Sequence, residues 1–402
     1  MLEDGKISEI GNIENAGDDY EIIEGDLICT PGLFDMHVHF RDPGQNDDED
    51  IISGIESAKN GGFTGALCMP NTNPPIDSVD TTEYILEKAG NSGFELHVSG
   101  CITKGRKGNE INNLEKLHKI GVNLYTDDGS GIQYSELMKD ALRFSVESNV
   151  LIAQHCEDKN ISSDGAVNEG RISKYLKVKG IPESSETSII ERDIEIAKGI
   201  KKSRYHVQHV SSGKSVDLIE KNKNNYFLLT SEVCPHHFIL NDEHVIKYNT
   251  NAKMNPPLRT VKDVERIKKG IKDGVIDVIC SDHAPHSELR KSDSLENAPF
   301  GIIGLETSFA LAYTYLVKTK IITLERLIEM MSINPRKLLL QKPIRIEKGR
   351  EANLSIFSLN EEWIINKDKF KSKSRNTPFN GWKVFGKPYA VICNKQIYYS
   401  DL

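Results

Sequence analysis

The stretch PGLFDMHVHFRDPG, residues 31–44, decides the fold. A short apolar run ends here in His37 and His39, and Pro43 and Gly44 then form a turn signal. Side chains two positions apart in a strand point to the same face, so the two histidines should lie together at the downstream end of the strand. Two imidazoles on one face suit a metal ion, although an HxH pair alone is a weak signal.

Seven further apolar, β-branched runs follow, and amphipathic stretches separate most of them. The runs lie at residues 63–70, 95–102, 122–128, 150–158, 205–212, 226–235 and 277–286. Strict alternation of strand and helix predicts parallel strands joined by crossover helices. Eight such units favour an α/β fold of the closed (β/α)₈ TIM-barrel type. An open doubly wound sheet is the alternative that the pattern alone leaves open.

The two ends of the chain have a different pattern. Residues 1–30 and 345–402 contain short alternating runs separated by turn residues. They predict a small β-sandwich-like domain that both termini build together, beside a barrel domain at residues 31–344.

Composition narrows the class of function. The 402 residues carry a net charge of −8, which argues against nucleic-acid binding and means that local positive charge must hold any anionic substrate. The 7 cysteines form no CxxC pair, which is typical of reduced thiols in a cytoplasmic protein. No apolar run approaches the roughly 18 residues of a membrane span.

Metal-competent side chains follow several of the predicted strands, at the end where a barrel builds its active site. They are Asp127, Asp128, His155, His206, His209, Asp282 and His286, in addition to the first pair. A set of histidines and aspartates without thiolates favours zinc over manganese or cobalt. The ligands outnumber the three that one catalytic zinc uses, which favours two metals. Asp127 and Asp128 cannot be separated, except that only one of two adjacent strand residues should face inward.

The motifs around these residues resemble those of the long-form dihydroorotases of bacteria and archaea, in the amidohydrolase superfamily. The resemblance covers nearly the whole chain and follows the family's order and approximate spacing. It rests on PGLFDMHVHFRDPG, MPNTNPPID, TDDGSGIQ, HCED, YHVQHVSS, EVCPHHF, KMNPPLR, SDHAPH, APFGIIGLET, KGREANLSIF and NTPFNGW.

The resemblance implies a site and a reaction. His37, His39 and Asp282 would bind one zinc, His155 and His209 the second, and Asp128 would bridge the two. Substrate contacts would come from His39, Arg41, Asn71, Asn255, His286, Phe300 and Gly301. The implied reaction is the reversible cyclisation of N-carbamoyl-L-aspartate to dihydroorotate in de novo pyrimidine biosynthesis. It would use a hydroxide held between the metals, with Asp282 as the catalytic acid and base.

The substrate assignment agrees with the chemistry of the side chains. Dihydroorotate presents a planar carboxylate, which suits the fork of Arg41, an asparagine amide and a histidine donor. The alternative is that Arg41 pairs with Asp42 or Asp47 on its own loop.

Two other functions compete with this interpretation. Hydantoinases and dihydropyrimidinase-like amidases usually carry a carboxylated lysine at the end of the fourth strand, and no lysine lies between Lys119 and Lys139 here. An inactive scaffold subunit would be expected to have lost metal ligands, and none is missing. The resemblance is compatible with a homodimer and with binding to aspartate transcarbamoylase. The family usually has one or two more strands before LEDGKISEIG, so a shortened β-domain or an upstream start is an expectation.

Overall fold

The computed structural model describes residues 1–13, 21–223 and 226–402. Eight parallel strands form its centre, and each coincides with one of the eight apolar runs. They are Leu33–Val38, Phe63–Cys68, Glu95–Val98, Leu124–Tyr125, Leu151–Gln154, Arg204–Val207, Leu228–Val233 and Val278–Ile279. The predicted strand order is therefore confirmed.

The strands close into a ring. The first three pair in parallel, and the last five pair in parallel. Single parallel bridges join the two groups, between Gly100 and Tyr125 on one side and between Val38 and His283 on the other. Closure confirms the (β/α)₈ barrel and excludes the open sheet.

Helices surround the barrel, and the first of them shows why it begins where it does. Asp50 accepts a hydrogen bond from the Ser53 amide while Ser53 Oγ accepts one from the Asp50 amide, which is a capping box. The α-helices are Ile51–Asn60, Val79–Ala89, Leu114–His118, Ser135–Ser148, Lys159–Ser162, Arg171–Leu176, Ser184–Lys198, Gly213–Asn222, Pro235–Ile239, His244–Tyr248, Val261–Lys272, Glu288–Lys291, Ser308–Ala312, Leu324–Ile328 and Asn334–Leu338. Short π turns lie at Tyr313–Val317 and Glu329–Ile333, and 3₁₀ turns at Lys104–Arg106, Asn249–Ala252 and Lys367–Lys369. No helix in the described ranges is long and apolar enough to cross a membrane.

Alternation along the strands divides the apolar core into two layers. Tyr125 and Ile152 belong to the large cluster between strands and helices, whereas Leu124 and Leu151 belong to a smaller cluster. Since neighbouring strand residues face opposite ways, the smaller cluster fills the barrel interior. The polar residues at the downstream strand ends therefore lie above a packed floor.

Both ends of the chain contribute to one antiparallel sheet. Its strands, in spatial order, are Gln396–Tyr399, Lys387–Cys393, Leu354–Ser358 and Leu27–Pro31. A short hairpin, Leu2–Glu3 with Lys6–Ile7, forms a bridge from Lys6 to Glu351, just before the strand Leu354–Ser358. The fold class therefore includes the predicted small β-domain. Residues 14–20 of the expected 1–30 segment lie outside the described residues.

One part of the C-terminal segment lies against the barrel. The strands Trp363–Ile364 and Lys383–Val384 form a hairpin, and Trp363 and Phe379 pack in a cluster with Met254 and Ile303 of the barrel loops. This contact brings residues 370–379 next to the loops at the barrel mouth.

Candidate active site

Asp128 lies at the centre of a buried cluster at the barrel mouth. Its Oδ1 is 3.5 Å from His37 Nε2, 3.6 Å from His155 Nδ1 and 3.5 Å from His209 Nε2. Its Oδ2 is 3.6 Å from His39 Nε2. This carboxylate therefore stands between the strand-one histidines and those of strands five and six.

Asp282 completes the first half of the cluster, and two histidines form the second. Asp282 Oδ1 is 3.0 Å from His39 Nε2 and 3.5 Å from His37 Nε2. On the other side, His155 Nδ1 is 2.9 Å from His209 Nε2. The structure thus brings together all six residues that the sequence predicts as metal ligands.

Two observations test whether a metal fits these residues. His37 Nε2 and Asp128 Oδ1 are buried and have no hydrogen-bond partner, although buried polar atoms are nearly always paired. The spacing of the atoms is the second observation. Five distances between ring nitrogens and carboxylate oxygens of the cluster are 3.5–3.6 Å, which resembles a tetrahedral site, where bonds of about 2.1 Å place ligand atoms roughly 3.4 Å apart. The cluster therefore fits divalent metal ions on both sides of Asp128.

The charges in the cluster attract a cation. Burial by itself would raise the pKa of Asp128 and Asp282, but the neighbouring histidines, His37 foremost, outweigh it and hold both values below the usual range. Burial would likewise lower the pKa of His37, yet Glu232 and the two aspartates raise it well above its ordinary value. Both aspartates are therefore ionised at neutral pH, and the site favours positive charge.

Hydrogen bonds fix which ring nitrogen of three histidines faces the cluster. His37 Nδ1 donates to Glu232 Oε1 at 2.6 Å, and His39 Nδ1 donates to Asn71 Oδ1 at 2.7 Å, so Nε2 of each ring faces inward. His155 Nε2 donates to Glu157 Oε2 at 3.2 Å, which leaves its Nδ1 for the cluster. Such partners orient the rings of metal-binding histidines.

Glu232 is a residue that the sequence analysis missed. It is buried in strand seven, and its second oxygen lies 3.2 Å from His206 Nε2. Its place in the EVCPHHF motif was the available signal, but nothing in the local pattern indicates that it reaches His37, 195 positions away.

The structure separates Asp127 from Asp128. Asp127 points away from the cluster and accepts hydrogen bonds from the backbone of Ile102 and Thr103, at 2.8 and 3.1 Å. These hydrogen bonds connect the loop after the third strand to the end of the fourth. Asp128 is therefore the inward-facing carboxylate.

Three residues of the site have an unusual backbone conformation. Arg41, His209 and Asp282 have φ values of 59°, 32° and 48°, a left-handed region that residues other than glycine rarely adopt. Such conformations persist where the surrounding structure imposes them, and they are common at functional sites.

Arg41 lies at the edge of the cluster. Its Nε donates to Pro285 O at 3.2 Å, and its Nη2 is 3.3 Å from His286 Nε2. Among the described residues no carboxylate lies within 4 Å of its guanidinium, and Asp42 pairs instead with Lys88. The pairing with Asp42 or Asp47 that the sequence left open is therefore not formed. Burial lowers the pKa of Arg41 to about 10, so the group keeps its charge at neutral pH.

The other predicted substrate residues surround the same opening. His286 Nε2 donates to Phe300 O at 2.8 Å, and Asn255 Nδ2 donates to Glu157 Oε2 at 3.0 Å. The Gly301 amide donates to Lys253 O at 2.9 Å, so this loop is tied internally. Burial, together with the charge of Arg41, lowers the pKa of His286 to about 4, although Asp48 acts in the opposite direction. His286 is therefore neutral at pH 7.

Known proteins resemble this chain in sequence and in fold. The family model described as dihydro-orotase-like matches residues 25–215. A dihydroorotase of Acetivibrio thermocellus is 43% identical over 399 residues, covering 99% of this chain and 93% of its own length. One of Clostridioides difficile is 41% identical over 401 residues, covering 100% and 94%.

Solved structures of more distant relatives share the fold. The L-hydantoinase (dihydropyrimidinase) of Arthrobacter aurescens superposes with a TM-score of 0.86 at 23% identity, covering 99% of this chain and 91% of that one. The dihydropyrimidinase of Brevibacillus agri gives a TM-score of 0.84 at 19% identity, covering 99% and 90%. At this level of identity the likeness establishes the barrel with its β-domain and says nothing of the substrate. The full-length similarity to the curated relatives does more, and on that ground the chain belongs to the dihydroorotase family.

Proposed function

We propose that this protein is a zinc-dependent dihydroorotase that interconverts N-carbamoyl-L-aspartate and dihydroorotate in pyrimidine biosynthesis. The observation that carries the proposal is Arg41, a half-buried guanidinium beside a buried His/Asp cluster, with no carboxylate of the described residues within ion-pair distance. A partly desolvated arginine that forms no ion pair within the protein favours an anionic ligand. Dihydroorotate carries a carboxylate on its ring, whereas the unsubstituted hydantoin ring does not.

Two zinc ions per chain are part of the proposal. His37, His39 and Asp282 would hold one, His155 and His209 the other, with Asp128 shared between them. When bound, such ions polarise the amide carbonyl and activate a water molecule. The charge of two divalent ions also offsets the ionised aspartates, so that an acidic protein can accept an anionic substrate.

Asp282 is the group placed to move the proton. Its carboxylate is ionised at neutral pH and can accept a proton from the attacking water during ring opening. It then delivers that proton to the departing ring nitrogen, and it takes the proton back from the ureido nitrogen during ring closure. Arg41 and the Asn71 amide would hold the substrate carboxylate, while His39 and Asn71 keep their hydrogen bond.

The direct test is a substrate panel. The purified protein should open dihydroorotate and close carbamoyl-aspartate, and it should act poorly on hydantoin, dihydrouracil and allantoin. A preference for hydantoin or dihydrouracil would support a hydantoinase-like amidase instead. Absence of turnover on every substrate by metal-loaded protein would favour a scaffold role.

Metal analysis gives an independent prediction. Protein purified without chelator should carry about one to two zinc ions per chain, since the cluster has ligands for two. His155→Ala should lose about one of them, as measured by elemental analysis. His118→Ala is the matched control, because His118 lies on an outer helix, where its ring contacts Val122 O and Phe144 and no residue of the cluster. Full activity in protein that contains no metal would contradict the proposal.

Glu232 should determine how tightly the first metal binds. Glu232→Gln removes the charge that orients His37 and should weaken zinc affinity by about 10–100-fold, measured by competition with a chromogenic chelator. Glu220→Gln serves as the control, because Glu220 forms an exposed ion pair with Arg266. Equal zinc affinity in wild type and Glu232→Gln would show that the His37 ring is held without this carboxylate.

Assembly stays a prediction. A homodimer and an association with aspartate transcarbamoylase can be tested by sedimentation, alone and with that enzyme.

A further inference from the structure

Lys291 is a buried lysine that the proposed reaction does not use. It is the last residue of the helix Glu288–Lys291 and is 5% exposed. Its Nζ donates to Pro299 O at 2.9 Å, to Gly301 O at 3.0 Å and to Lys253 O at 3.4 Å. No carboxylate lies within 4 Å of this ammonium in the described part of the chain. Its three donors are directed entirely at backbone carbonyls.

These carbonyls belong to the two loops that carry predicted substrate residues. Lys253 lies two positions before Asn255, and Pro299 and Gly301 flank Phe300. Lys291 therefore joins the Asn255 loop to the Phe300–Gly301 loop. The backbone bond from the Gly301 amide to Lys253 O reinforces this junction.

A second side chain donates a hydrogen bond to the same carbonyl of Gly301. Asn376, in the C-terminal segment that lies against the barrel, donates to Gly301 O at 3.1 Å and to Ala284 O at 3.0 Å. Gly301 has a φ of 119°, and a Cβ there would lie 2.5 Å from Ala284 Cβ. The Gly301 backbone thus sits in a position that only glycine can take, and Lys291 and Asn376 hold it there.

Burying this ammonium is costly. Burial lowers the pKa of Lys291 to about 7, and the charge of nearby Lys253 acts in the same direction. A methionine would fill similar space without that cost. Lys291 also lies close enough to His286 for its charge to lower the pKa of that imidazole.

We propose that Lys291 is a positioning residue for substrate binding, which holds the Phe300–Gly301 loop against the Asn255 loop. The inference rests on the proposed function for the identity of the substrate. It assigns Lys291 no role in proton transfer or in metal binding.

The test is a comparison of KM with kcat in Lys291→Met. KM for dihydroorotate should rise by about tenfold or more, because small displacements of substrate-contacting groups weaken binding strongly. The kcat should stay within about threefold of wild type, and zinc content should be unchanged. Lys291→Gln keeps two N–H donors without the charge and should recover part of the loss. Should the methionine variant fail to fold, the glutamine variant provides the same comparison.

Arg290→Met is the matched control. Arg290 precedes Lys291 in the same helix and carries a positive charge, but its guanidinium pairs with Asp48 and not with the carbonyls of these two loops. The KM of this variant should change by less than about threefold. An equal rise in KM for both variants would show that general positive charge, and not the junction between loops, is responsible, and would overturn the proposal.

Other outcomes also decide the question. A lower melting temperature and a lower kcat with unchanged KM would assign Lys291 a merely structural role and overturn the proposal. Failure of the proposed function would be seen earlier, in a wild-type protein that does not open dihydroorotate. The KM comparison would then use the cyclic amide that the wild type does open, and an unchanged KM there would overturn the role of Lys291.

Discussion

Asp282→Asn, resaturated with zinc, should open dihydroorotate about 10²–10⁴-fold more slowly than wild type, with KM little changed. Asparagine keeps the shape of the side chain and one oxygen for the metal, but it cannot carry a proton at any accessible pH. In the native protein Asp282 Oδ1 lies 3.0 Å from His39 Nε2, and its carboxylate is ionised at neutral pH. In the proposed reaction it would therefore act both as a metal ligand and as a base.

The two roles are separated by measuring zinc together with rate. Loss of the ligand charge should weaken zinc binding, so the assay must be run at zinc concentrations that restore full occupancy. If occupancy alone restores the wild-type rate, Asp282 is only a ligand and another group moves the proton. His286→Gln is the comparison for that case. Because His286 Nε2 donates to Phe300 O and lies 3.3 Å from Arg41 Nη2, where a substrate carboxylate would bind, its replacement should raise KM more than it lowers kcat.

The barrel could be predicted from the sequence because each strand is a local signal. A β-branched run between turn residues predicts a strand from the local sequence alone. Eight such runs that alternate with helices are compatible with few topologies. Closure itself is not local, since it depends here on the single bridges Gly100–Tyr125 and Val38–His283. The alternating pattern of residues 345–402 likewise does not predict where each strand lies in the fold. A strand that lies on the barrel loops has the same pattern as a strand in the terminal sheet.

The candidate site shows the same division between local and long-range information. Alternation along a strand predicts that one of Asp127 and Asp128 faces inward, but not which one. That choice depends on where the strand ends, and the end of a strand depends on its neighbours. Two hydrogen bonds, between His37 and Glu232 and between Lys291 and Gly301, each connect different elements of the fold. A local sequence pattern therefore does not predict them. The left-handed backbone conformation of Arg41 could not be predicted from the sequence either, because arginine has no intrinsic preference for it.

Substitution of Arg41 is the most direct test of the substrate assignment. Removing a charged group that pairs with a substrate carboxylate in a partly desolvated site costs on the order of 2–5 kcal/mol. Arg41→Ala should therefore lower kcat/KM for dihydroorotate by roughly 30- to 5,000-fold, with zinc content unchanged. Arg41→Lys should recover only part of this loss, because an ammonium cannot form the planar two-pronged contact.

Arg290→Ala supplies the matched control. Its guanidinium lies at the same opening but already pairs with Asp48, and such partly exposed pairs contribute about 0–1 kcal/mol, so kcat/KM should fall by less than about fivefold. A dihydroorotate rate in Arg41→Ala equal to that of wild type would make Arg41 a loop residue and remove the main support for an anionic substrate. A loss confined to substrates that carry a carboxylate, with any residual hydantoin turnover unchanged, would identify the carboxylate as the group that Arg41 binds.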